Sequence, residues 1–215
     1  MARTAIVTGS TSGIGAGIAR ALAEAGNNVV INGFGDAAAI EKLRASIESD
    51  YKVKCLYSGA DMTKPDQIEA MLAMTREALG PVDILVNNAG IQLDAAFEDL
   101  TLEQWQRVMD VNLTGPFLCC QEAVRLFKKQ GINANLSCAA GKILCISSVH
   151  EVIPWAGHVN YAASKGGLML LMKSLAQEVA PQRIRVNSIA PGAIRTPINT
   201  AAWYTREAYD DLLKL

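Results

Sequence analysis

The chain begins with Thr4-Ala-Ile-Val-Thr8, turns through Gly9-Ser-Thr-Ser-Gly13-Ile-Gly15, and continues as an alanine-rich stretch over 16–25. This opening constrains the fold more than any other feature. A short apolar run, a glycine-rich turn and a helix-forming segment, in that order, make a strand–turn–helix unit. Backbone N–H groups then point outward from a helix N-terminus, where an anion is favoured. Glycines allow the backbone to approach a phosphate closely and the helix to sit tightly on the strand. The spacing Gly-x-x-x-Gly-x-Gly differs from the Gly-x-Gly-x-x-Gly phosphate-binding fingerprint, but the strand and helix context is the same.

Apolar runs and helical patterns go on alternating along the chain. The pattern predicts strands near 3–8, 28–32, 53–57, 82–86, 142–146 and 184–189. Helices are expected near 14–25, 37–49, 65–78, 101–110, 113–130 and 160–180. Continuous apolar strands such as Val82-Asp-Ile-Leu-Val86 suit a parallel sheet covered on both faces. The expected fold is therefore an α/β, doubly wound parallel sheet of Rossmann-like type. It forms a single domain over 1–215, with ligands at the carboxyl ends of the strands. Residues 131–141 read as a surface excursion before the fifth strand.

Composition removes several function classes. Half the residues are apolar and the net charge is −1, which provides for a large core and implies no affinity for nucleic acid. No apolar run is long enough to span a membrane, and no signal peptide precedes the first strand. The five cysteines are odd in number and lack zinc-like spacing, so no metal site is expected. Reduced, mostly buried thiols in a cytoplasmic protein are the simplest account.

The strongest chemical signal is Tyr161-Ala-Ala-Ser-Lys165, because positions four apart share one helix face. A phenol has a free pKa of about 10, too high for acid–base work near neutrality. A neighbouring ammonium favours the phenolate and brings that value down. Ser148 lies thirteen residues before Tyr161, just past an expected strand.

Taken together, these residues resemble the short-chain dehydrogenase/reductase family over nearly the whole chain. Thr8-Gly9-x-x-x-Gly13-x-Gly15 is similar to its cofactor turn, Asn87-Asn-Ala-Gly90 to its motif after the fourth strand, and Pro191-Gly192 to its motif after the sixth. Asn112, Ser148, Tyr161 and Lys165 fall where the family has its catalytic tetrad. The resemblance implies that Tyr161 is the acid/base. It also implies that Lys165 lowers the tyrosine pKa and binds the nicotinamide ribose. Ser148 would hydrogen-bond the substrate oxygen, with Ser147 its near competitor. Asn112 would hold a relay water, and it also suits a helix cap. Gly9, Ser12, Gly13, Ile14 and Gly15 would cradle the pyrophosphate. Asp61 and Met62 would flank the adenine, Asn87 would lie near the adenosine ribose, and Ile194 and Thr196 would touch the nicotinamide amide.

Cofactor choice rests on the end of the second strand. An acid there binds the ribose 2′-hydroxyl, and an arginine accepts a 2′-phosphate. Asn32-Gly-Phe-Gly35 offers neither, and the missing cation weighs against NADP more than the missing acid weighs against NAD. NAD is the expected cofactor.

For the substrate the resemblance points two ways. Asn32-Gly-Phe-Gly-Asp36 and Asn87-Asn-Ala-Gly-Ile-Gln92 are similar to bacterial 3-hydroxybutyrate dehydrogenases. Ser147-Ser-Val-His-Glu-Val-Ile-Pro-Trp155, Tyr161-Ala-Ala-Ser-Lys-Gly-Gly167 and 191–199 are similar to glucose 1-dehydrogenases. The second set surrounds the reacting atoms, so a glucose-like sugar is the first expectation and 3-hydroxybutyrate the alternative. Gln92, Ser148, His150 and His158 are the expected substrate contacts. His158 stands where the hydroxybutyrate enzymes place a lysine, three residues before the tyrosine. The family usually continues some tens of residues further, with another helix and a seventh strand, so the C-terminal part of its fold is expected to be missing. That leaves a non-catalytic nucleotide-binding protein as a further alternative. A homo-oligomer, commonly a tetramer in the family, is expected.

Overall fold

The fold positions its site by the order in which six strands pair. In the computed structural model, which describes residues 2–196, 204–207 and 210, those strands are β1 (Thr4–Val7), β2 (Asn28–Asn32), β3 (Cys55–Ser58), β4 (Ile84–Asn87), β5 (Gly141–Ile146) and β6 (Ile184–Ile189). All pair in parallel, in the order β3-β2-β1-β4-β5-β6. This is the doubly wound sheet expected from the alternation. The order reverses between β1 and β4, and a ligand crevice opens beyond the carboxyl ends at such a switch point.

The helices are α1 (Gly13–Glu24), α2 (Ala37–Tyr51), α3 (Pro65–Leu79), α4 (Leu102–Met109), α5 (Gly115–Gln130) and α6 (Val159–Val179). Local chemistry sets their starts. Asp36 caps α2 by accepting from the Ala39 N–H at 2.8 Å. Pro65 opens α3, and Thr101 with Gln104 forms a capping box on α4.

Alternate residues of each strand face opposite layers, as a period of two requires. Ile6, Val30, Leu85, Ile143 and Val186 pack in one core with residues of α3, α5 and α6. Val7, Val29, Ile31, Val86 and Ile146 pack in the other, with residues of α1 and α2.

Two expectations are adjusted. β3 and β4 enter the ladder two residues later than their apolar runs begin, and the Asp83 carboxylate just before β4 accepts from the Thr4 N–H at 2.8 Å. The helices expected at 101–110 and 113–130 are joined by a π-helical turn over Asp110–Thr114. Pro116 has no N–H for the carbonyl of Asn112 four residues back, and its ring crowds that carbonyl, so regular α-helix cannot run through. The excursion at 131–141 is largely exposed over its first half, as expected.

Candidate active site

The glycine turn is held by atoms from both sides of the switch point. The Asn88 side chain donates to the carbonyls of Thr8 and Gly9, each at 2.9 Å. The Thr8 hydroxyl accepts from the N–H groups of Asn88 and Ala89 at 3.0 Å. Gly9 has φ +61°, and a Cβ there would lie 2.7 Å from the Ala89 Cα. A Cβ on Gly15 would press into the turn itself, within 2.8 Å of the Ser10 Cα. Glycine is required at both positions, and the resulting cradle at the start of α1 suits a nucleotide diphosphate. Ser12 is the N-cap of α1, and its hydroxyl makes no capping bond to the helix. Ile14 packs its side chain into the core beneath. Thr196 lies over the turn, 3.7 Å from where a Gly13 Cβ would be, and Ile194 is half exposed on the same segment.

Three expected cofactor residues are placed differently from a simple side-chain contact. Met62 is buried, its sulfur 3.7 Å from that of Cys119, so at an adenine it would present main chain. Asn87 donates to the Cys120 sulfur at 3.2 Å, and its amide oxygen is buried without a partner. Its side chain faces the core, which leaves only main chain to meet a ribose. Asp61 accepts from the N–H and hydroxyl of Thr63 at 2.8 and 2.9 Å, and these bonds hold its carboxyl below the usual range.

Asn112, Ser148, and Tyr161 with Lys165 come from three places in the chain, the π turn, the turn after β5 and α6. Tyr161 stands in the first turn of α6, and Lys165 one turn on, 4 % exposed. The Lys165 ammonium donates to the Ile146 carbonyl at 3.0 Å, and Nζ lies 5.5 Å from the centre of the Tyr161 ring. Burial pushes the lysine down to about 8, against the opposing pull of Cys145 and Glu151. Burial also pushes the Tyr161 phenol up, and a hydrogen bond with Ser148 works in the other direction. The Ser148 hydroxyl thus works toward the phenolate, while the ammonium keeps two N–H donors beyond the one given to Ile146. A point over Gly90 lies 3.4 Å from the Asn112 amide oxygen and 3.7 Å from the Lys165 Nζ, so these two also share one small space.

The Asn112 side chain is engaged at both its polar atoms. Its oxygen accepts from the Ile91 N–H at 2.8 Å, and its nitrogen donates to the Ile91 carbonyl at 2.9 Å and to the Ser164 hydroxyl at 3.1 Å. Both amide N–H donors are used, so a relay water would meet the second lone pair of the amide oxygen or the main chain.

The substrate side is walled by an aromatic stack. Trp155 lies between His150 and His158, with ring centres 4.3 and 3.6 Å away, and Tyr161 meets both Trp155 and His150 edge-on. His150 Nδ1 is 3.1 Å from the Ile153 carbonyl, and His158 Nδ1 is 3.0 Å from that of Ala156. A carbonyl only accepts, so each Nδ1 bonded there carries a proton, and each Nε2 faces the other way. Gln92 is exposed on the facing segment. Trp155, Thr8, Asn88 and Asn160 were not anticipated individually. A tryptophan between two histidines and an asparagine beside the tyrosine were the available signals. Among the described residues, no three His, Cys, Asp or Glu side chains are grouped to hold a metal. No described helix is long and apolar enough to cross a membrane.

Comparison with known proteins agrees with this geometry. A family model described as short chain dehydrogenase matches residues 3–207. The chain is 42% identical over 198 residues to a D-beta-hydroxybutyrate dehydrogenase of Rhizobium meliloti, covering 92% of this chain and 74% of that one. It is 42% identical over 207 residues to 3beta-hydroxysteroid dehydrogenase 1 of Eggerthella lenta, covering 96% and 76%. Glucose 1-dehydrogenase 2 of Bacillus subtilis is 39% identical over 198 residues, covering 92% and 74%. A crystal structure from Sinorhizobium meliloti 1021, described as a short-chain alcohol dehydrogenase, superposes with a TM-score of 0.88 at 32% identity, covering 100% of this chain and 81% of that one.

Proposed function

The chain belongs to the short-chain dehydrogenase family, a family of nicotinamide-dependent oxidoreductases acting on CH–OH groups, and from that premise we propose that it oxidises a small polar alcohol, a glucose-like sugar first, with NAD. The observation that carries the reaction is the convergence of Ser148, Tyr161 and Lys165 at the switch point of the sheet: the Lys165 Nζ lies 5.5 Å from the centre of the Tyr161 ring, and the Ser148 hydroxyl works to lower the Tyr161 phenol. The glycine turn and Lys165 would hold the cofactor, and a nicotinamide bound there would supply the hydride acceptor for the alcohol carbon or the hydride donor for the carbonyl. Ser148 orients the substrate oxygen and favours the phenolate. Tyr161 accepts the hydroxyl proton in oxidation and gives it back in reduction. Lys165 binds the nicotinamide ribose and, through a water at Asn112, passes the proton to solvent.

The choice of NAD rests on the end of β2. The Asn32 side chain is buried and bonded to the Gly9 N–H and to the carbonyls of Ser58 and Ala60. Phe34 is 66% exposed, and no cation follows Asn32 to meet a 2′-phosphate. Residues 1–215 act as one domain in this reading. The exposed Phe97, Leu102 and Phe117 favour a homo-oligomer, a tetramer as in the resembled family. The free thiols of Cys120 and Cys145, both within reach of Asn87, suit a reducing cytoplasm.

The expected contacts favour the sugar: Gln92, Ser148, His150 and His158 offer hydrogen-bonding groups that suit hydroxyls, and no lysine or arginine stands among them to pair with a carboxylate. The second reading, 3-hydroxybutyrate, is favoured by the relative in Rhizobium meliloti and by Gln92. Initial rates with NAD separate the two. Glucose-like sugars should outrun 3-hydroxybutyrate at pH 8. A clear preference for 3-hydroxybutyrate at pH 8 overturns the sugar assignment. Absence of turnover with any polar alcohol favours the non-catalytic alternative.

A further inference from the structure

Residues 90–94 carry one wall of the site, yet they belong to no helix or strand. Their backbone groups need partners from elsewhere. Asn112 holds both the N–H and the carbonyl of Ile91. The Asn160 side-chain nitrogen donates to the Leu93 carbonyl at 2.9 Å. Two residues further, the Ala95 N–H donates to the Gly157 carbonyl at 3.1 Å. Gln92 sits between the two asparagine ties, with its neighbours fixed on both sides and its own side chain exposed.

Asn160 differs from the other ties in what its second atom does. It is fully buried in the first turn of α6, and its oxygen accepts from the Tyr161 N–H at 2.7 Å. That N–H is among those a helix start leaves without an intrahelical partner. One side chain therefore holds the backbone of the catalytic tyrosine and the backbone of the wall opposite it. A cap alone needs only the oxygen. The nitrogen's bond to Leu93, across 67 positions of sequence, is additional.

We propose that Asn160 is a positioning residue that locks the 91–93 segment to Tyr161, so that Gln92 and the tyrosine hydroxyl address one substrate at a fixed separation. The inference rests on the dehydrogenase reading and adds a determinant of its substrate specificity. Gln92 supplies a neutral donor and acceptor, so it can meet a hydroxyl or a carboxylate oxygen near the reacting carbon.

Two variants separate positioning from capping. Asn160→Ser and Asn160→Asp both keep an oxygen that can accept from Tyr161 and lose the amide that reaches Leu93. In the full-length protein with NAD, either should raise KM for the preferred substrate about tenfold, the equivalent of one lost buried hydrogen bond. The kcat/KM ratio between glucose and 3-hydroxybutyrate should flatten, while NAD affinity is retained. Amide hydrogen exchange over 91–95 should quicken in the folded variants. This readout does not need turnover, so it stands even if the dehydrogenase reading falls. Unchanged KM, unchanged discrimination and unchanged exchange in a folded variant would overturn the proposal and leave Asn160 a cap.

Discussion

At the scale of single residues, the site is organised around a phenol whose environment works against ionisation. Burial raises the Tyr161 pKa, and the Ser148 hydroxyl works in the other direction. Tyr161→Phe removes the transferable proton while keeping the ring that meets Trp155 and His150. We expect kcat to fall by roughly 10²–10⁴, the usual worth of general acid–base catalysis, with NAD binding kept. Steady-state rates beside a cofactor titration check it. Ser148→Ala should move the alkaline limb of the pH profile in the opposite sense to activation. Oxidation needs the phenolate, the serine favours the phenolate, and without it the phenol holds its proton to higher pH. The kcat/KM profile of the variant should therefore rise at higher pH than that of the wild type. An unshifted limb would mean that Ser148 acts on substrate alone.

Elements matter here mainly through what their irregularities hold. The π turn at Asp110–Thr114 places Asn112 where its side chain can take both backbone groups of Ile91. Asn112→Ala leaves that N–H and carbonyl without their partner in a buried place. The loss in unfolding free energy should be about 2–4 kcal/mol, the sum for two stranded groups. Denaturant titration measures it. Because Ile91 precedes Gln92, the same variant should also lose substrate affinity, whereas a cap of α5 alone would affect stability only. A regular heptad or strand pattern carries no trace of such a turn. Pro116 is its visible cause, and the excerpt Asn112-Leu-Thr-Gly-Pro116 reads equally well as a break between two helices.

For the whole molecule, the crevice at the sheet reversal joins residues that are distant along the chain, so cofactor binding should stabilise the fold as a unit. At a hundredfold excess over Kd, NAD should add ~2.7 kcal/mol, which for a chain of this size raises Tm by about 5–10 °C. NADP at equal concentration should give a smaller shift. Phe34→Arg, by adding a cation at the end of β2, should reverse that order. Equal shifts in the wild type would contradict the assignment of NAD. Differential scanning fluorimetry reads all four combinations.

What the sequence determined by itself was the periodic and the contiguous. Among the described residues, alternating apolar runs specified the six strands and the six α-helices to within a few residues, because strand and helix periods are local properties of the chain. The glycine turn, Asn87-Asn-Ala-Gly90 and Tyr161-x-x-x-Lys165 identified the site, because each works as a short contiguous unit. Tertiary structure alone decided where side chains are engaged. It turned Met62 and Asn87 into the core, directed the Lys165 ammonium to Ile146, and buried the Tyr161 phenol near Ser148. It also set Trp155 between two imidazoles and tied Leu93 to Asn160. These outcomes depend on burial and on atoms brought within about 3–4 Å from separate elements, distances at which hydrogen bonds and desolvation act. Residue spacing along a chain carries no information about them until the sheet has formed.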